Sequence, residues 1–381
     1  MLFPEFQTLG LPEWLCLTAC FAFILILVNY LLNYLPLSRF GNTHLEQAPE
    51  NPEPLSVIIC ARNEEDNLRE FLPRILNQDY PEYEVVVVND CSFDNTENVI
   101  DEFSAQYPRL RKANIKEDAY YKHGKKFAML VGIKAARYQK LVFTDADCYP
   151  SSDQWLREMR RGFAGEKEIV LGYGAYRKQK GFLNKLIRFD TFMIAVQYLS
   201  SAIQHKAYMG VGRNLAYNKD LFFKQKGFSS HYHINSGDDD LFVNKAATAS
   251  NVNICVVNKA ITYSVAKNSF RDWRIQKARH LSTAPLYSPG TKSKLGFIFF
   301  SQFFFYASVF ALFFSTRTLI LIPIFLLLKL SLQWLVLYKA SRKLEESDLL
   351  AGSLLYELIL LLIYPIFHLS KFTLRSRQWT S

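Results

Sequence analysis

The residues from Trp14 to Leu35 (WLCLTACFAFILILVNYLLNYL) carry no formal charge. A run of about 20 apolar residues crosses a hydrocarbon core, so this segment predicts a membrane helix over 13–35. A cleaved leader would start with basic residues and end at a small-residue cut site, but the first lysine or arginine is Arg39, beyond the run. The helix is therefore expected to be retained, with its N-terminus outside. Three further apolar runs follow late in the chain: Leu295 to Phe314, Thr318 to Leu337 and Leu349 to Leu369. They predict helices over 295–314, 318–337 and 349–369, broken only by Pro323, Lys329, Glu357 and Pro365. The positive-inside rule places Arg39 and the Lys339, Arg342, Lys343 loop on the cytoplasmic side. Residues from about 40 to 290 then lie in the cytoplasm. The rule strains at the last run, because Lys371, Arg375 and Arg377 would be outside if it spans. That run is either transmembrane or re-entrant.

The chain has a formal charge of +10, which raises the question of nucleic acid. Its basic residues, however, crowd beside apolar runs, as at Arg271, Arg274, Lys277 and Arg279. A membrane surface is the expected partner, not nucleic acid. The six cysteines show no paired spacing and read as reduced, with no zinc site or disulfide framework.

The polar middle has the pattern of an α/β domain. A linker over 36–54 leads to Leu55–Cys60 (LSVIIC), a β-branched run that stops at a polar loop. Asn67 to Leu76 has helical spacing, Glu84 to Val88 (EVVVV) is a second strand, and Leu141 to Phe143 is a third. Continuous apolar strands separated by helices predict a mostly parallel sheet covered on both faces. Loops rich in polar residues follow all three strands: Ala61, Arg62, Asn63, Glu64 and Glu65 after the first, Asn89 and Asp90 after the second, Asp145 and Asp147 after the third. Ligands bind at that edge in open α/β sheets.

Asp145 and Asp147 are separated by one residue at a strand end and offer hard oxygen ligands. Magnesium or manganese binds through such carboxylates together with substrate phosphates. Asp90 can accept hydrogen bonds from a base or ribose. Gly210-Val211-Gly212 lacks dinucleotide spacing, and no phosphate-loop motif with its lysine occurs. Phe182, Leu186, Phe189, Met193 and Val196 fall at helical spacing beside Lys178, Lys180, Lys185 and Arg188. That stripe suits a helix on the bilayer surface or one packed in a core.

Taken in order, LSVIICARNEE, EVVVVND, LVFTDAD, GVGRNLAY, SGDDDLF and QKARH, with one leading and several trailing membrane helices, resemble the membrane-bound family 2 glycosyltransferases. These include cellulose, chitin and hyaluronan synthases, poly-N-acetylglucosamine synthases and ceramide glucosyltransferases. The resemblance implies a GT-A, Rossmann-like domain over 55–264 and an interfacial segment over 265–294. It implies that Ala61 to Glu64 and Asp90 hold the uridine and ribose of a UDP-sugar, with Lys125 or Lys126 nearby. Asp145 would contact the nucleotide and Asp147 a Mg2+ or Mn2+ ion. Asp239, in Gly237-Asp238-Asp239-Asp240, would be the general base, with the register open by one residue. Gln276 and Arg279 of Gln276-Lys277-Ala278-Arg279-His280 would serve catalysis, Arg279 facing the leaving diphosphate. Gly212, Asn214, Asp238 and His280 would form the acceptor site. His280 stands where the family usually has tryptophan. A smaller, more polar residue there weakens a polymer-stacking role and favours a lipid or short-glycan acceptor over processive synthesis.

These readings together predict an inverting glycosyltransferase in a bacterial inner membrane, its catalytic domain in the cytoplasm. A processive polysaccharide synthase is the alternative of the same fold. Lys329 and Gln333, polar within an apolar helix, motivate a second class: a transporter or non-catalytic subunit.

Overall fold

A computed structural model describes residues 9–41, 52–116, 124–234 and 236–373. Residues 42–51 of the expected linker, and Arg375 and Arg377, lie outside them. The strands are β1 (Leu55–Ala61), β2 (Tyr83–Asp90), β3 (Leu110–Ile115), β4 (Lys140–Phe143), β5 (Cys148–Pro150), β6 (Ile169–Gly172), β7 (Gly174–Tyr176), β8 (Leu215–Asn218), β9 (Val252–Cys255) and β10 (Thr262–Ser264). A seven-stranded sheet runs in the order β3-β2-β1-β4-β8-β6-β9, and a smaller sheet in the order β5-β10-β7. Within the large sheet β3, β2, β1 and β4 are mutually parallel, and β8 reverses direction between β4 and β6.

Alternate strand residues serve opposite faces, which explains the unbroken β-branched runs. Val57, Ile59, Val85 and Val87 pack against α3 (Glu65–Leu76), α4 (Thr96–Gln106) and α6 (Trp155–Arg161), through Leu68, Leu72, Val99 and Trp155. Ile58, Val86 and Val88 face the other way, onto Ala128, Met129 and Ile133 of α5 (Lys125–Ala135). This second core continues through α7 (Phe182–Ile203) into α1 (Leu11–Asn33), α11 (Pro289–Ala311) and α12 (Leu321–Lys343). The remaining helices are α2 (Leu35–Arg39), α8 (Lys219–Lys224), α9 (Asp240–Ala246), α10 (Phe270–Leu281) and α13 (Ser353–Thr373). Four helical segments are long and apolar enough to cross a membrane: Leu11–Asn33, Pro289–Phe314, Thr316–Lys343 and Ser347–Ser370.

The stripe on α7 is that of a packed helix. Leu186, Phe189, Met193 and Val196 are buried, and only Phe182 at its start is exposed. The sheet meets the long apolar helices through this element. Tyr198 Oη donates to Gly172 O at the end of β6 (2.6 Å), and Gln204 Nε2 donates to Leu32 O of α1 (2.6 Å). Arg188, buried in α7, donates from Nε (3.0 Å) and Nη2 (2.5 Å) to Glu346 and grips both oxygens of Asp348 (2.7 and 3.0 Å).

Lys329 and Gln333 face inward and are partnered. Lys329 donates to Gln302 Oε1 of α11 (2.9 Å) and to Glu357 of α13, and Gln333 donates to Tyr30 Oη of α1 (2.9 Å) and to Glu357. Tyr30 Oη also donates to Glu357 (2.8 Å). A polar cluster thus joins all four apolar helices, and its residues are explained by that junction without a transport pathway.

Replacing Arg188 with methionine strands a buried carboxylate at Glu346, and breaking such a pair costs about 3–5 kcal/mol. Arg188→Met is expected to lower the unfolding midpoint of the detergent-purified protein sharply. An unchanged midpoint would show that the cluster contributes little to holding the two parts together.

Candidate active site

Strand β4 ends at Phe143, and the chain turns at once: Cys148 N donates to Asp145 O (3.1 Å). The turn brings Asp145, Asp147 and Cys148 together, with ligand atoms all within 4.8 Å of one another. Burial and the two carboxylates push the Cys148 thiol well above its ordinary value. It stays protonated, 3.3 Å from Asp147 Oδ1, so the oxygens are the ligands on offer. Ser264 Oγ holds the other Asp147 oxygen at 3.3 Å. Burial, and then Asp145, raise the Asp147 carboxyl, the condition of an acidic pair awaiting positive charge. This donor set fits a hard divalent cation such as Mg2+ or Mn2+.

Lys125, at the start of α5, bridges this pair to a second acidic group. Its Nζ lies 2.8 Å from Asp145 Oδ1 and 3.2 Å from Asp238 Oδ2. Lys126 turns elsewhere and donates to His231 O (2.6 Å) and Ile234 O (2.9 Å). Of the two lysines, Lys125 is the one in the site.

Gly237 precedes the second group with φ at 96°, and a Cβ there would lie 2.5 Å from Leu241 Cδ1. Only glycine fits that turn. The next three carboxylates then diverge. Burial works to raise the Asp238 carboxyl, but Lys125, which it faces, a backbone hydrogen bond and Lys126 together hold it below its usual range. Asp239 accepts from Gly212 N (2.7 Å) and from Asp240 N (2.7 Å), capping α9. Burial, then Asp238 and Asp240, push its pKa up to about 7. Asp240 accepts from Thr283 Oγ1 (2.6 Å) and Tyr287 Oη (2.7 Å), which ties α9 to the segment between α10 and α11.

Gln276, Arg279 and His280 stand at i, i+3 and i+4 and so share one face of α10. All three line the same cavity as the carboxylates. Tyr176 Oη is 3.5 Å from Gln276 Oε1. His280 is exposed toward the cavity; desolvation there, and then the cations Arg279, Lys277, Arg213 and Lys125, hold its imidazole well below its ordinary pKa, hence neutral. Lys277, on the same cavity wall, is paired with Asp190 of α7 at 2.6 Å.

The cavity is about 1100 Å3 and is lined by Asp145, Asp147, Asp239 and His280 together with Leu295 and Phe299 of α11 and Leu360 and Leu361 of α13. Glu64 and Gly212 line it as well. Ala61, Arg62, Asn63 and Asp90 stand beside it at the sheet edge. There Asn63 and Cys91 hold positive φ (56° and 53°), and Asn63 N donates to Ser92 Oγ (3.0 Å) while Phe93 N donates to Asn63 Oδ1 (2.8 Å). Those bonds lock the loops after β1 and β2 together. Asn214 lies behind the cavity and is fully engaged: it accepts from Trp155 Nε1 (3.0 Å) and donates to Tyr173 O (2.9 Å) and Ala260 O (2.7 Å).

One residue escaped the sequence reading. Arg213 stacks its guanidinium 4.3 Å from the centre of the Tyr176 ring, lines the cavity and lowers the Asp147 pKa by its charge. Its only local signal was a basic residue after Gly210-Val211-Gly212.

Residues 56–224 match the Glycosyl transferase family 2 model. A poly-beta-1,6-N-acetyl-D-glucosamine synthase of Staphylococcus epidermidis is 32% identical over 101 residues, 26% of this chain and 23% of that protein. The probable glycosyltransferase YdaM of Bacillus subtilis is 27% identical over 191 residues, 48% of this chain and 44% of that protein. The matched segments thus cover less than half the length of these curated relatives. Among solved structures, the mannosyltransferase PcManGT from Pyrobaculum calidifontis, in complex with GDP-Man and Mn2+, superposes with a TM-score of 0.55 at 18% identity, covering 91% of this chain and 97% of that one. That likeness concerns the fold: the mostly parallel sheet is of the GT-A type.

The carboxylate pair and its lysine make opposite predictions for metal binding. Asp147→Ala is expected to weaken Mn2+ binding by more than about tenfold, since one of two carboxylate ligands is lost. Lys125→Met removes an ammonium that competes for Asp145 and should strengthen Mn2+ binding in the absence of nucleotide. Titration of free Mn2+ by its paramagnetic signal reads both. Equal affinity in all three proteins would place the metal elsewhere.

Proposed function

We propose that the chain, whose residues 56–224 match the Glycosyl transferase family 2 model, is a glycosyltransferase that transfers a single sugar from a UDP-sugar to a membrane-lipid hydroxyl on the cytoplasmic face. The observation that carries this reading is the cavity itself. Its polar end holds Asp145, Asp147, Lys125 and Arg213, and its other end is walled by Leu295, Phe299, Leu360 and Leu361 from apolar helices. A charged donor and a hydrocarbon-bearing acceptor suit its two ends.

The residues between those ends suit an inverting displacement. Asp239 takes the proton of the acceptor hydroxyl as its oxygen attacks the anomeric carbon. The bond from that carbon to the diphosphate breaks, and its electron pair leaves with the nucleoside diphosphate. Arg279 and Arg213 offer forked donors to the charge that develops on the leaving phosphate. A divalent cation held by Asp145 and Asp147 would add positive charge at the same place. Gly212 N fixes one Asp239 oxygen and so aims the base.

A base must be ionised to act, and Asp239 is pushed up to about 7. Transfer under kcat/KM conditions is therefore expected to rise as pH increases through about 7 and to level off above it. Asp239→Asn should lower transfer by roughly 10²- to 10⁴-fold while UDP still binds. A flat pH profile, or full activity in Asp239→Asn, would remove Asp239 from this role.

The acceptor is tested by incubating the purified protein with Mn2+, a panel of UDP-sugars and a membrane lipid extract, with products read by mass. Lipids heavier by one hexose or N-acetylhexosamine are expected. A ladder of sugar units without lipid would favour polymer synthesis, the activity named for the Staphylococcus epidermidis relative. No product from any UDP-sugar, with product from another nucleotide sugar, would change the donor.

A further inference from the structure

We propose that α13 does not cross the bilayer but lies in its surface, as the membrane-side wall of the active-site cavity. Its length and composition would allow a crossing, and Glu357 near its start is bonded to Lys329 and Gln333 of α12, but its contacts further along stay with the catalytic domain. Just upstream, Glu346 and Asp348 are held by Arg188 of α7. Near the start of α13, the Tyr356 ring packs 5.4 Å from Phe189 and 5.8 Å from Phe182, both on α7. Two turns later, Tyr364 Oη donates to Asp190 of α7 (2.6 Å). Near its end, Phe367 packs 5.0 Å from Trp273 and 5.9 Å from Phe270, both on α10.

From Tyr356 to Phe367 a helix advances about 17 Å, more than half of a hydrocarbon core of about 30 Å. A crossing helix would have left the catalytic domain by then. Instead the far end of α13 rests on α10, which carries Arg271, Asp272, Arg274, Lys277 and Arg279 and so cannot lie in hydrocarbon. Both ends of α13 therefore sit on the catalytic-domain side.

The face turned away from α7 and α10 exposes Leu355, Leu358, Leu362, Ile366 and Leu369, a single helical stripe. Its occupant is lipid. Exposed apolar residues of the same kind stand on α11 (Phe299, Phe303) and α12 (Leu327, Leu328), helices that pack against α13 and are long enough to cross a membrane. In-plane helices usually keep a charged face in water; here the catalytic domain covers that face. A helix that does not cross also removes the strain that a crossing over 349–369 puts on the positive-inside rule.

The test compares three full-length variants in sealed membrane vesicles, treated with a membrane-impermeant maleimide-polyethylene glycol. Glu166→Cys marks an exposed turn of the catalytic domain, Arg317→Cys the turn between α11 and α12, and Ser381→Cys the C-terminus. The extra gel shift over the parent chain is read before and after detergent. Ser381→Cys is expected to react together with Glu166→Cys and opposite to Arg317→Cys. Reaction of Ser381→Cys together with Arg317→Cys, in whole or in part, would overturn the proposal. A fourth variant, Leu362→Trp, reads the stripe: its added emission should be quenched by lipids brominated on their acyl chains and not by aqueous iodide. Quenching by iodide instead would put this face in water and overturn the proposal equally.

Discussion

Arg188 cannot lose its proton, and with only 2% of its surface exposed it must be neutralised where it stands. Glu346 and Asp348 do this from the connection between α12 and α13, and Tyr173 Oη, following β6, donates to the remaining Glu346 oxygen (3.1 Å). One guanidinium thus fixes three parts of the chain: the sheet, the central helix α7 and the last turn of the membrane bundle. Two residues further along, Asp190 takes Lys277 of α10 and Tyr364 of α13 on its two oxygens. The cavity lies between the elements that these two residues hold, so its shape depends on α7 being in place.

Within that frame the charges are sorted rather than pooled. Five carboxylates, Asp145, Asp147, Asp238, Asp239 and Asp240, line one cavity. Unpaired, most would take up protons. Lys125 divides the set by bonding Asp145 and Asp238, and Asp240 is turned to the hydroxyls of Thr283 and Tyr287. Asp239 has no cation bonded to it, and burial, then Asp238 and Asp240, carry its pKa up to about 7 against the opposing effect of the Gly212 N–H. The middle carboxylate of the three is distinguished by what surrounds it, since the chemistry of the side chains is identical.

That sorting marks how far the sequence could be read. The strands β1, β2 and β4 were legible because each is a β-branched run that ends at a polar loop, and a buried parallel sheet leaves few other ways to place such runs. The pair Asp145 and Asp147 was legible from its position after β4. The division of labour among Asp238, Asp239 and Asp240 was not, because it is set by Lys125, Gly212 and Tyr287, all far away in sequence. Arg213 was missed for the same reason, and Lys125 could not be told from Lys126 until the loop at His231 claimed one of them. The apolar stripe of α7 was ambiguous for a different cause: hydrocarbon and a protein core reward the same spacing, and only the buried Arg188 and Asp190 reveal which one surrounds it.

The membrane helices bear on the choice between a lipid acceptor and a growing polymer. A polymer made at Asp239 and moved across the bilayer would have to part the helices, and their interior is occupied by the cluster of Tyr30, Gln302, Lys329, Gln333 and Glu357. Parting it would separate Lys329 from Glu357 in a medium of low dielectric, where an unpaired charge is costly. Gln302 and Glu357 also reach the cavity wall, so the cluster closes its bundle side with paired polar groups while Leu360 and Leu361 offer hydrocarbon contacts beside them. A lipid acceptor, as proposed, would meet those leucines with the cluster intact. The small, neutral His280 fits this economy of movement, because an acceptor that leaves after one transfer needs no aromatic platform to hold a chain between additions.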